Sequence, residues 1–161
     1  NLPARYKKSD PKYQNLRNTD MQKVALPGNG GEIEIIAGEY NGHKGSASTF
    51  SPINVFNAKL KKGAEATFNF PAHYTTAILL VEGSAKVNGT DIVPQDHFAM
   101  FNRDGETFTI EAVEDAVVLV LSGEPLQEPI AAHGPFVMNT RQELVEAFDE
   151  FNQGKFGYLE D

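Results

Sequence analysis

The chain has 161 residues, 40% of them hydrophobic and 22% charged, which is typical of a soluble globular protein with one sizeable core. Its formal net charge of −8 repels phosphate backbones and argues against direct binding to nucleic acid. The absence of cysteine excludes disulfides, thiol catalysis and Cys-ligated zinc, and no apolar run approaches the ~18 residues of a membrane span. We expect a cytoplasmic protein, or a nuclear one in a eukaryote, that has no membrane partner.

The first 139 residues divide into a lead-in and a β-rich region. Residues 1–26 have little periodicity and are predicted to form an extended lead-in or linker. Residues 27–139 carry about nine short strand patterns at roughly 8–12-residue spacing, which predicts one antiparallel β-sandwich or barrel. Apolar and polar residues alternate most clearly at 32–35, 55–60, 64–70 and 107–112.

Two further strand patterns, residues 77–81 and 116–121, are apolar throughout. The run at residues 77–81 predicts a strand that is buried on both faces. Asn88-Gly89 lies between two strand patterns and tolerates positive φ, which predicts a hairpin turn. Glu32 and Glu34 occupy the polar side of an alternating strand, so we interpret them as solubilising residues.

The pattern changes from Gly123 onward. Prolines recur through residues 123–139, which are predicted to lack regular structure. Residues 140–143, Thr-Arg-Gln-Glu, have the spacing of a helix capping box, and apolar residues follow on one helical face. Residues 140–161 are therefore predicted to form an amphipathic helix of about 12 residues and a tail. Its apolar face must cover its own sheet, a neighbouring domain or another subunit.

The residues that are most able to bind a metal are His73, His97 and Glu82, which in a small barrel would line one interior pocket. The alternative is that His73 lies in a loop and His97 at a strand edge, each with a single hydrogen bond. His133 lies in the proline-rich segment, where we expect it to pack or to contribute to an interface. No nucleophile motif or phosphate-binding glycine loop is present.

Five segments carry a family resemblance. The sequence SGEPLQEPIAAHGPFVMNT, residues 122–140, resembles the signature near the end of the pirins, a family of two-domain cupins. FDEFNQGKFG at residues 148–157 continues the match, as do residues 1–4 and 35–38. Residues 51–89 are similar to the second cupin domain of pirins.

The resemblance implies an all-β fold, an antiparallel sandwich or barrel of cupin (jelly-roll) type with one C-terminal α-helix. It also implies that residues 27–139 form the C-terminal cupin domain. Pirins begin with another cupin domain, which binds iron or another divalent metal through three histidines and a glutamate. We therefore expect residues 1–26 to be a linker from a missing N-terminal domain. Some pirins are similar to quercetin 2,3-dioxygenases, which cleave a flavonol with O2, and animal pirins are nuclear transcription cofactors.

The metal motif of that other domain falls on Asn69, Pro71 and Thr75 of this chain, and none of these residues would serve as a ligand. The later histidine is also missing, because residues 99–107 contain none and His97 comes too early. The resemblance therefore implies no metal, no other cofactor and no catalytic residue in this chain.

The leading hypothesis is a non-catalytic, metal-free cupin domain that packs against the metal-binding N-terminal domain of the same protein. The candidate interface residues come from the helix and the proline-rich segment: Glu124, His133, Phe136, Leu144, Phe148 and Phe151. One alternative is dioxygenase activity on a flavonol or related aromatic, either by the intact protein with the involvement of this half or by this half through His73 and His97. The other is a metal-free cupin that binds a small ligand or a regulatory protein.

Overall fold

The computed structural model describes residues 1–157, which divide into two compact units. One unit comprises residues 12–125, and the other combines residues 1–11 with the chain from residue 126 onward. The end of the predicted helix-and-tail segment, residues 158–161, lies outside the described residues. No helix within residues 1–157 has the length and apolar character needed to cross a membrane.

Short antiparallel strands dominate the described residues, with one α-helix near the end. The strands are β1 Gln22–Ala25, β2 Gly31–Ala37, β3 Glu39–Tyr40, β4 His43–Lys44, β5 Ile53–Leu60, β6 Glu65–Asn69, β7 Thr75–Glu82, β8 Ala85–Val87, β9 Asp91–Val93, β10 Phe98–Met100, β11 Thr107–Ala112, β12 Ala116–Gly123, β13 Ala131–His133 and β14 Phe136–Met138, and the helix is α1 Arg141–Asn152. The predicted all-β class with a single C-terminal helix is confirmed.

Residues 12–125 form two large sheets around one core, and β3 pairs with β4 in a separate two-stranded sheet. The larger sheet has the order β1-β2-β5-β12-β7-β10, and the smaller has the order β6-β11-β8-β9. Alternate residues of both sheets point inward, so that side chains such as Phe56, Phe68, Ile78, Ile110 and Val118 are fully buried. Burial of each such side chain contributes roughly 1.5–3 kcal/mol, which stabilises the unit without a disulfide.

The two all-apolar strands differ in how they are buried. In β7, both Ala77 and Ile78 are buried although they lie on opposite faces, but Val81 is 41% exposed. In β12 only every second residue is buried, and the residues between them are half-buried. The prediction of burial on both faces, made for residues 77–81, is therefore correct for Ala77 and Ile78 and wrong for Val81.

Residues 22–25 form a strand that the sequence did not predict. β1 pairs with β2 across the turn at residues 27–30, with Val24 opposite Ile33. Three of its four residues are exposed, and its sequence does not alternate between apolar and polar residues. Its backbone hydrogen bonds to β2 are what make this segment a strand. The turn that connects β8 to β9 does follow the prediction, because Asn88 and Gly89 both have positive φ, at 50° and 72°.

The prediction of no regular structure in residues 123–139 holds for residues 124–130 and was wrong for residues 131–138. β13 and β14 form a hairpin in which His133 pairs with Phe136, and Gly134 and Pro135 connect them. Gly134 has a φ of +54°, which suits a tight turn, and Pro135 lies in the connection, where it removes no ladder hydrogen bond. The prolines thus delimit the strands of this segment and do not prevent them.

The helix α1 begins and is capped as predicted. The Thr140 hydroxyl accepts a hydrogen bond from the backbone N–H of Glu143 at 3.2 Å, and the Glu143 carboxylate accepts one from the N–H of Thr140 at 2.8 Å. Leu144 and Ala147 are buried, and the helix packs against the β13–β14 hairpin. One part of the apolar face therefore covers the hairpin of its own unit.

Candidate functional site

A cavity of about 380 Å³ opens within the unit formed by residues 12–125, and we call it the barrel cavity. Residues that follow β6, residues in β7 and β10 and residues at the start of β11 line it, together with parts of β8 and β9. Its walls include Phe70, Phe101 and Phe108, with ring centroids 4.3 Å apart for Phe101 and Phe108. Because Phe70 and Phe108 are almost fully buried, the inner end of the cavity is apolar and aromatic.

The residues at the predicted ligand positions do not fit an iron ion. The Asn69 side-chain oxygen accepts a hydrogen bond of 2.6 Å from the Thr107 hydroxyl. The Thr75 hydroxyl accepts one of 2.6 Å from the Arg103 guanidinium, and Pro71 lines the cavity without a donor atom in its side chain. Within residues 1–157 no group of three or more His, Asp or Glu side chains is arranged to hold a metal. Iron prefers imidazole and carboxylate ligands, which this arrangement does not supply.

One polar pair lies at the buried end of the cavity. The hydroxyls of Thr76 and Ser122 are 2.8 Å apart, and both residues are more than nine-tenths buried. Thr76 lines the cavity, whereas Ser122 lies beside it on the paired strand β12. The pair therefore places a hydroxyl group against an otherwise aromatic wall.

Carboxylates surround the exposed part of the cavity. Asp91, Asp104 and Glu106 all line it and are all exposed, so they lie at its opening. Tyr74 lines the cavity as well, and burial, together with the charge of Glu124, raises the pKa of its phenol. Tyr74 is therefore protonated at neutral pH.

The three residues of the predicted pocket lie outside the barrel cavity. The His73 imidazole Nε2 is 3.9 Å from the Glu124 carboxylate, with both side chains about half exposed. The His97 Nδ1 is 2.9 Å from the backbone oxygen of Gln95. Glu82 lines a separate depression of about 570 Å³ that also includes Lys61. Any ligand for these residues stays a prediction. His97 has the single hydrogen bond of the alternative interpretation, whereas His73 lies beside the Glu124 carboxylate and the Tyr74 ring, with centroids 4.9 Å apart for the two rings.

Five of the six candidate interface residues lie in the second unit. The Phe148 ring contacts Phe136 and His133 edge-on, with centroids 4.9 Å and 5.6 Å away. Leu144 is buried against its own unit, whereas Phe151 is 59% exposed. The sixth, Glu124, belongs to the unit of residues 12–125. Their role at an interface stays a prediction, with Phe151 as an exposed apolar member.

Glu34 is buried, contrary to its interpretation as a solubilising residue. It is 2% exposed on the outer side of the larger sheet, and its carboxylate lies 2.7 Å from the ammonium groups of Lys23 and Lys59. The side-chain amides of Asn18 and Asn57 donate further hydrogen bonds at 2.9 Å and 2.8 Å. Burial alone would raise the pKa of Glu34, but these hydrogen bonds outweigh it and hold the pKa far below 4.5.

Sequence reasoning missed this Glu34 cluster because Lys23 and Asn18 come from the segment that was predicted to be a linker. The strand β1 places Lys23 opposite Glu34, and β5 places Asn57 opposite it on the other side. A signal was present in the sequence, since a lysine lies in each strand that flanks Glu34. This signal can be interpreted only when the pairing register of β1, β2 and β5 is known.

Known proteins are similar to almost the whole chain. A family model described as the pirin C-terminal cupin domain matches residues 55–157. A crystal structure of quercetin 2,3-dioxygenase from Acinetobacter baumannii is 44% identical, with a TM-score of 0.91 over 99% of this chain and 56% of that one.

Two sequence relatives extend the same similarity. A Pseudomonas aeruginosa protein, provisionally named a quercetin 2,3-dioxygenase, is 41% identical over 97% of this chain and 54% of its own length. A pirin-like protein of Caulobacter vibrioides is 33% identical over 97% of this chain and 56% of its own length. The chain therefore spans about half of the length of these relatives.

Proposed function

The chain belongs to the pirin family, and from this we propose that its cupin domain is a metal-free, non-catalytic half of a two-domain protein. The observation that carries this proposal is the chemistry at the ligand positions. Asn69 and Thr75 already have hydrogen-bond partners of their own, and Pro71 has no side-chain donor. This barrel therefore has the family fold without the family's ligand set.

We propose further that iron and a quercetin 2,3-dioxygenase-like activity belong to another domain of the whole protein. The relatives are about twice as long as this chain, which leaves room for a second cupin domain in each of them. The dioxygenase name belongs to the Acinetobacter protein, and its transfer to this protein is part of the proposal. The proposed role of this chain is to pack against that second domain.

Metal content tests the first part of the proposal. The purified chain is incubated with Fe(II) under anaerobic conditions, desalted and analysed by plasma mass spectrometry. We expect well below one iron per chain, and no consumption of quercetin in the same sample after O2 is admitted. About one tightly bound iron per chain would contradict the proposal. Turnover of quercetin that is lost in both His73→Ala and His97→Ala would favour the enzymatic alternative.

Phe151 tests the packing role. Its ring is 59% exposed and lies beside Phe136 and Phe156, with centroids 6.2 Å and 6.5 Å away, so the three rings offer apolar area to a partner. We expect Phe151→Ser to weaken binding to the separately produced N-terminal half of the Acinetobacter protein by about tenfold. Asp149→Ser changes an exposed residue of the same helix and serves as the control. Equal binding by both variants and the parent chain would exclude this surface.

A further inference from the structure

We propose that the barrel cavity binds an aromatic organic cation, with its ammonium group at the acidic opening and an oxygen atom at the buried end. This inference goes beyond the proposed function, because it concerns a ligand of this chain and requires no second domain. Three features of the cavity carry it: the walls, the buried hydroxyl pair and the charge at the opening.

The walls suit a flat ring. Phe101 and Phe108 have centroids 4.3 Å apart, and Phe70 lies 6.1 Å from Phe108, so aromatic faces and edges surround the inner space. Aromatic groups favour stacked and edge-on contact with other rings, and their faces also attract cations. A volume of about 380 Å³ lies in the range of small-molecule sites and exceeds what one aromatic ring with a short side chain needs.

The buried end offers an unused hydrogen-bond donor. Thr76 and Ser122 have two hydroxyl protons between them, and the bond that joins the two oxygens uses only one. The described hydrogen bonds of residues 1–157 include no acceptor for the other proton. When Ser122 donates the bond between the two hydroxyls, the Thr76 proton is free to donate to a ligand oxygen in the cavity, and buried polar groups are almost always hydrogen-bonded.

The opening selects the charge of the ligand. Asp91, Asp104 and Glu106 line it, and none of them forms an ion pair with another described residue. The residues that line the cavity include no Lys, Arg or His, and the nearby Arg103 guanidinium donates to Thr75. Unpaired carboxylates at the opening of an apolar cavity attract a cation and repel an anion.

Tyramine is a suitable probe because its ammonium and phenol groups lie at opposite ends of one ring. Phenethylamine lacks only the phenol oxygen, and 3-(4-hydroxyphenyl)propionate replaces the ammonium group with a carboxylate. Titrations of the ¹⁵N-labelled chain would follow the backbone amides of residues 70–108. We expect tyramine to bind about threefold more tightly than phenethylamine and about tenfold more tightly than the propionate.

Matched variants separate the two ends of the site. The double variant Asp104→Asn, Glu106→Gln should weaken the binding of tyramine by about fivefold, because it removes two exposed charges. The control Glu65→Gln, on the outside of β6, should leave the affinity for tyramine unchanged. Thr76→Val should remove the preference for tyramine over phenethylamine, and Thr76→Ser should retain it. The Asp104 and Glu106 side chains are exposed, so we expect their variants to fold. These variants keep the proposal testable if Thr76→Val does not fold.

Two results would overturn the proposal. One is the absence of chemical-shift changes in the cavity amides at about 20 mM tyramine. The Kd would then be weaker than that of any specific site of this kind. The other is equal affinity for tyramine and the propionate. Neither result bears on iron content or on binding through Phe151, so failure of this inference is distinguishable from failure of the proposed function.

Discussion

Replacing Glu34 with glutamine is expected to lower the free energy of unfolding by about 3 kcal/mol. The change removes the charge that Lys23 and Lys59 contact at 2.7 Å and leaves the two ammonium groups with the more distant and more exposed Glu32 carboxylate. Loss of one member of a buried ion pair costs roughly 3–5 kcal/mol. The lysine side chains are 34% and 43% exposed, so water replaces part of the lost interaction and the lower end of that range applies.

Urea unfolding followed by far-ultraviolet circular dichroism measures this change. A loss of about 3 kcal/mol corresponds to a midpoint lower by roughly 1.5–2 M at a slope of about 1.5–2 kcal/mol/M. Glu32→Gln is the matched control, since Glu32 contacts the same two lysines at 3.4 Å and 3.8 Å but is 36% exposed. We expect its cost to stay below about 1 kcal/mol. Equal losses in the two variants would refute the view that burial of Glu34 sets the magnitude.

The pH dependence of the free energy of unfolding of the parent chain and of Glu34→Gln provides a second test. The pKa of Glu34 is held far below 4.5 in the folded chain, whereas in the unfolded chain it returns to its ordinary value. The unfolded state therefore takes up more protons below about pH 4.5, and the stabilisation by Glu34, complete above that pH, declines as the solution becomes more acidic. The difference between the parent chain and Glu34→Gln should be constant from about pH 5 to 8 and should narrow below about pH 4.5. A difference that grows in acid would contradict the assigned direction of the pKa shift.

Two further predictions concern the backbone. Thr140→Ala removes the cap of α1 and should cost about 1 kcal/mol in urea unfolding, while Thr140→Ser, which keeps the hydroxyl, should cost much less. Gly31→Ala should strongly destabilise the chain, because Gly31 has a φ of +111° and a Cβ there would overlap the Lys59 carbonyl oxygen. Gly63→Ala, at a φ of +77° in open space, should cost only about 1 kcal/mol, and similar losses in both glycine variants would contradict the predicted overlap.

Much of the fold could be predicted from local patterns. The alternation at residues 107–112 coincides with β11, and the capping box at Thr140 marks the start of α1. These signals are short-range, because strand alternation and helix capping depend on residues only a few positions apart. β1 and the β13–β14 hairpin carry no such signal, since pairing with a neighbouring strand defines them.

The features of the barrel cavity could likewise be predicted only in part from the sequence. The family resemblance led us to predict Asn69, Pro71 and Thr75 as the positions that a metal-binding relative would use, and to predict that their side chains are unsuitable ligands. The sequence did not predict that Asp91, Asp104 and Glu106 come together at one opening, because they belong to different strand ends and turns. Convergence of residues from separate strands depends on the pairing of the whole sheet.

The sequence by itself therefore determined the family, the β-rich class and the capped helix. Only the tertiary structure decided that Glu34 is buried between two lysines and that aromatic rings and carboxylates line one cavity. The physical reason is that side-chain type and spacing act along the chain, whereas burial and charge pairing act between strands far apart in sequence. Glu34 illustrates this, because its place on a polar strand face predicts exposure until the register of β1 and β5 surrounds it with partners.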